Sequence, residues 1–105
     1  MRVLLDECLP RRFAGALTGH IVSTVPDAGL GGLKNGVLLR AIGGRFEAFV
    51  TVDKSLPAQH RLSGLAFSII VIRAPTNRLA DLLPLAPKVL EALAGVGPGE
   101  IAVVS

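Results

Sequence analysis

The chain has 105 residues, half of them apolar, and a formal net charge of +3 from eleven Lys and Arg against eight Asp and Glu. That length predicts one domain over residues 1–105 with one apolar core, and the scarcity of aromatics (four Phe, no Tyr, no Trp) argues against the base-stacking platforms of non-specific single-strand binders. A single cysteine, Cys8, excludes an intramolecular disulfide, and no apolar run reaches the ~18 residues a membrane span requires.

Apolar runs alternate with helical patterns, the signature of an α/β domain with a mainly parallel sheet. The first strand is expected over Val3 to Leu5. Pro10 then suits the first turn of a helix carrying Phe13, Ala14, Ala16 and Leu17, and Gly19 is placed to end it in a left-handed cap. Ile21 to Val25 is a second strand, rich in β-branched residues and broken by the Pro26-Asp27-Ala28-Gly29 turn signal. A helix is predicted from Asn35, taken as its N-cap, to Ile42, ending at Gly43-Gly44. Ala48 to Val52 is the third strand. In the looser stretch that follows, Pro57 is expected to start a helical turn. Ala66 to Ile72 is a continuous apolar run, as expected of a central strand buried on both faces. Leu79 to Ala94 carries a wide apolar stripe, but Pro84 and Pro87 each remove a backbone donor, so a kink or two joined helices is expected. Ile101 to Val104 is a short last strand, expected at an edge.

Right-handed crossovers place the third strand beside the first, on the side away from the second. The expected architecture is a three-layer α/β/α sandwich with strand order 2-1-3-4 plus an edge strand. In this order Asp6 and Asp53 follow neighbouring strands, about 5 Å apart, at the carboxyl edge where open parallel sheets gather ligands. Two carboxylates at close range repel unless a cation or a proton intervenes. A hard divalent ion such as Mg²⁺ suits such an oxygen pair, and it polarises a phosphodiester and acidifies a bound water. Taken singly, each Asp is better explained as a cap or turn residue; the pair on adjacent strands is what points to a shared site.

Other residues of the same edge extend the candidate site. Glu7 joins it if the chain has already turned after Asp6. Asp27 is either a third carboxylate or a turn residue. Arg11, Arg12, Lys34, Lys54, Arg73 and Arg78 form a candidate basic rim for a phosphate backbone. His60 lies in the loop after Asp53, whereas His20 falls at the opposite edge and is expected to be structural. Cys8 has no second cysteine nearby and is expected to serve packing. No zinc spacing, no Gly-rich phosphate loop with Lys-Ser or Lys-Thr and no serine elbow occurs. Asp6 also interrupts the opening apolar run too early for a signal peptide, so a soluble cytoplasmic protein is expected.

Three segments, Leu4-Leu5-Asp6-Glu7-Cys8-Leu9-Pro10, Gly19-His20 and Val50-Thr51-Val52-Asp53-Lys54, resemble in order and spacing those of compact prokaryotic PIN-like domains, related to the VapC-type toxin ribonucleases. The resemblance covers nearly the whole chain. It implies an acidic pocket for Mg²⁺ or Mn²⁺, cleavage of RNA, and control by an antitoxin protein. Asp6 and Asp53 match the first and last acidic positions of the family. Asn35 falls where similar proteins often carry an acid; its carbonyl can coordinate a cation but brings no charge. Metal ligation by Asp6 and Asp53, with Asn35 and Glu7 completing the shell and Lys54, Arg11 and Arg73 steadying phosphate, is the expected site. The high apolar content also makes a homodimer an expectation.

Two other readings remain open on the residues alone. A degenerate PIN-like module, binding nucleic acid or protein without cutting, follows if the charge missing at Asn35 is decisive. A phospho-acceptor receiver-like domain shares the strand order and the acidic positions Asp6, Glu7 and Asp53. It requires a Thr or Ser after the fourth strand, where Arg73 stands, and a Lys after the fifth, where the chain has Ser105.

Overall fold

Short apolar runs bounded by Gly, Pro and Asp become strands: β1 (Arg2–Leu5), β2 (Ile21–Thr24), β3 (Ala48–Thr51), β4 (Ser68–Ile72) and β5 (Ile101–Val104). A computed structural model describes residues 1–56 and 64–105, and of Asn35 the backbone alone. The Pro57 turn and His60 lie outside the described residues. The five strands form one all-parallel sheet in the order β2-β1-β3-β4-β5, so the expected α/β class, the order 2-1-3-4 and the final edge strand are all present. In register, Leu5 lies opposite both Thr24 of β2 and Val50 of β3.

Strand side chains alternate between faces, and each face has its own apolar layer. Val3, Leu5, Val50, Ile70 and Ile72 pack with Phe13, Leu17, Leu82, Val89 and Leu93 on one side. Leu4, Phe49, Ile69 and Val71 pack with Leu38, Leu39, Ile42, Phe46 and Leu56 on the other. The helix α1 (Asn35–Ile42) covers this second face. On the first lie a 3-10 segment, Arg11–Ala16, and two helices, α2 (Leu79–Leu82) and α3 (Ala86–Gly95). β4 is buried at all five positions because helical layers cover both its faces and a strand flanks it on either side.

The proline expectation holds. The stretch from Leu79 splits into α2, a 3-10 turn at Leu83–Leu85 and α3, with a proline in the first turn of each of the last two pieces. Gly19 is left-handed as expected, with φ 84°, but it sits in the turn two residues beyond Leu17, the residue that caps the first helical segment.

Three local expectations are corrected. The segment after Pro10 is 3-10, not α: Phe13 N–H donates to the Pro10 carbonyl (3.0 Å) and Leu17 N–H to that of Ala14 (3.2 Å), both three residues back. Its N-cap, Pro10, makes no side-chain capping bond. The N-cap of α1 is Lys34, not Asn35; the Lys34 carbonyl accepts the Leu38 N–H (2.8 Å) and so closes the first turn around Asn35. β4 begins at Ser68, because its partner strand β3 begins at Ala48, directly opposite. Phe67 is buried all the same, against the α1 side. Among the described residues no helix is long and apolar enough to cross a membrane.

Candidate functional site

In an all-parallel sheet every strand ends at the same edge, so residues that follow different strands gather without any local motif. Asp6 directly follows β1, and its N–H donates to the Val50 carbonyl (2.9 Å), extending the β1–β3 ladder by one step. Asp53 stands two residues beyond β3.

Between them lies Thr51, the last residue of β3 and fully buried. Its hydroxyl donates to Asp6 Oδ2 (2.7 Å) and accepts the Asp53 N–H (3.0 Å). One buried oxygen therefore serves both acidic residues. The Asp6 carboxylate and the Asp53 nitrogen can be no farther apart than those two bonds laid end to end. A buried hydroxyl is stable only when so engaged.

Each carboxylate is also held by its own loop. Asp6 Oδ1 accepts the Glu7 N–H (2.8 Å). Asp53 Oδ1 accepts both the N–H (3.0 Å) and the hydroxyl (2.6 Å) of Ser55. Carboxylate oxygens accept several bonds, so these contacts orient Asp6 and leave it lone pairs for a cation. The donors are hard oxygens, the kind Mg²⁺ and Mn²⁺ prefer. No group of three or more His, Cys, Asp or Glu side chains with metal-holding geometry occurs among the described residues.

The remaining candidates separate. Glu7 Oε1 accepts the Gly32 N–H (3.0 Å), which ties Glu7 to the turn ahead of α1. Asp27 pairs with Arg11 at 2.9 Å, and its N–H donates to Thr24 Oγ1 (3.2 Å). Arg11 is thus engaged by a neighbouring carboxylate on the β2 side. Asn35 supplies the first residue of α1. On the other side, Lys54 and Arg73 line a hollow of about 320 Å³, whose other lining among the described residues is Val71 and Val103. A larger hollow of about 460 Å³ lies between α3 and the end of β5. Its Lys88 donates to the main-chain oxygen of Ser105 (2.6 Å). His20 lies at the opposite edge, with Nδ1 3.3 Å from the Met1 nitrogen.

Cys8 is half-buried against the first apolar layer, with its sulfur 3.9 Å from the Thr51 hydroxyl. Burial pushes its thiol above the ordinary pKa; a hydrogen bond from the Val52 backbone opposes the shift, and the charge of Asp6 adds to it. The Cys8 carbonyl accepts the Asn77 amide (2.9 Å), so the loop after β4 is clasped to the loop after β1. At the far end of the sheet the Arg2 N–H, donating to Glu47 Oε1 (3.0 Å), holds the exposed Glu47 carboxyl below the usual carboxylate pKa.

Neither family models, curated proteins nor solved structures give a match to this chain. The site therefore rests on its own geometry. Thr51, Asn77 and Val103 escaped the reading of the sequence as site residues. Only Thr51 left a signal there, as a polar residue within an apolar strand, which demands a partner once buried.

Proposed function

We propose that the chain is a divalent-cation-dependent ribonuclease of PIN-like type. The observation that carries this reading is the pair Asp6 and Asp53, which leave adjacent parallel strands and share the buried hydroxyl of Thr51. In this reading Asp6 and Asp53 ligate Mg²⁺ or Mn²⁺, and Asn35 and Glu7 complete the shell. Bound there, the ion supplies Lewis-acid polarisation of a phosphodiester and a water of lowered pKa. The Thr51 hydroxyl keeps the Asp6 carboxylate in place, while Lys54 and Arg73 hold the phosphate backbone by charge. Arg11 belongs to the same reading as a backbone contact only when Asp27 releases it. Control by an antitoxin protein, a homodimeric state and residence in the cytoplasm are further parts of the proposal.

The test is cleavage of a mixed RNA panel with Mg²⁺ or Mn²⁺ supplied. Cleavage is expected, with a fall of at least about a hundredfold in Asp6→Ala and in Asp53→Ala. An intact panel under both ions would overturn it. A second reading, a module that binds RNA without cutting, is favoured by Asn35, a neutral residue opening α1 where similar proteins often carry an acid. Restored cleavage in Asn35→Asp would decide for that reading of the native chain.

A further inference from the structure

The hollow lined by Lys54, Val71, Arg73 and Val103 has a composition that a scaffold does not require. Two of its walls are exposed cations, one following Asp53 and one following β4. Neither the Lys54 ammonium nor the Arg73 guanidinium has a carboxylate partner among the described residues, in contrast to Arg2 and Arg11, which pair with Glu47 and Asp27. The other two lining residues among those described are aliphatic. Val71 is buried in the second apolar layer, while Val103, on the edge strand, is 58% exposed. A β-branched apolar side chain left open beside two exposed cations makes a mixed surface, one part for an anion and one for a flat apolar group.

A nucleotide carries those two parts together. The hollow, about 320 Å³, falls within the size range of small-ligand sites. It also lies on the β4 side of the acidic pair, because Val71 is the register partner of Thr51 and Lys54 directly follows Asp53. We propose that this hollow is a nucleotide subsite for RNA: Lys54 and Arg73 hold a phosphate adjoining the one at the acidic pair, and the base lies against Val103. The proposal rests on the ribonuclease reading and deepens it. It places the bound strand on the β4–β5 flank of Asp53, away from Arg11, and makes Val103 the apolar contact for a base.

The experiment measures binding apart from cutting. A short fluorescent oligoribonucleotide is titrated with the full chain in EDTA, with fluorescence anisotropy as the readout. Lys54→Ala and Arg73→Ala are each expected to weaken binding about tenfold and to lower the salt slope by about one. Val103→Thr, which keeps the shape and the strand preference, is expected to weaken it about threefold or more. Val103→Asp should do so more strongly, with circular dichroism confirming that each variant folds. A nucleoside monophosphate should compete at least about tenfold better than inorganic phosphate. Equal competition by the two would reduce the hollow to an anion site and overturn the proposal. So would binding indifferent to all three positions, even in a protein that cuts RNA. Binding that depends on these residues in a protein that does not cut would retain the subsite and remove the ribonuclease reading instead.

Discussion

On the β2 flank of the carboxyl edge, Arg11 gives its guanidinium to Asp27 at 2.9 Å, and both side chains stand in solvent. On the β4–β5 flank, Arg73 and Lys54 border a hollow with an aliphatic wall and have no such partner among the described residues. The residue types are alike and the edge is the same. What differs is whether a carboxylate of the protein already neutralises the cation, and a cation so paired attracts a phosphate backbone less. Thr51 stands between the flanks and holds the acidic pair that both could serve.

The largest effect on folding is expected at that junction. Thr51→Val keeps the shape but removes the buried hydroxyl, so Asp6 Oδ2 loses this donor and the Asp53 N–H loses this acceptor, both at half-buried residues. A loss of about 1–3 kcal/mol in chemical denaturation is expected. A neutral outcome would mean that the two flanks are not joined through this residue.

The comparison itself breaks or holds on RNA affinity. Arg73→Ala should weaken binding about tenfold, whereas Arg11→Ala should change it less than about twofold. Equal losses would show that the Arg11–Asp27 pair opens to admit RNA.

A smaller effect concerns Cys8, beneath the acidic pair. Folding holds the thiol proton more tightly, so stability from this group is complete below the ordinary thiol pKa. It is lost as pH rises through the raised value. Alkylation by iodoacetamide in the native protein should therefore reach its half-maximal rate at higher pH than in the unfolded chain. Coincident profiles would contradict the burial of the sulfur.

The smallest effect is the stability cost of Arg11→Ala. The pair is exposed on both sides, with 70% and 48% of the two side chains accessible, so the expected loss is under about 1 kcal/mol and shrinks further in salt. A larger loss would mean that the 3-10 segment depends on the pair for its position.

Much of the fold was legible in the sequence. Strands announce themselves as β-branched runs between turn residues, and the handedness of crossovers then leaves little freedom in their order. Pro84 and Pro87 foretold the break between α2 and α3 because a missing N–H acts locally, whatever the surroundings. The 3-10 form after Pro10 was not legible, because the i, i+4 spacing of Phe13 and Leu17 is that of an α-helical face; Leu17 instead caps the 3-10 segment and is buried beside Phe13 all the same.

The candidate site divides in the same way. That Asp6 and Asp53 follow neighbouring strands comes from chain order alone, since parallel strands end together and side-chain contacts play no part in that. Which arginine finds a carboxylate, which hydroxyl bridges two loops and which valine stays open at the edge depend on contacts of about 3 Å between residues far apart in the chain. Arg11 meets Asp27 and Thr51 meets Asp6 only after the sheet and its loops are in place. Periodicity and local propensity act over a few residues and carry no record of such meetings, so the tertiary structure alone decided them.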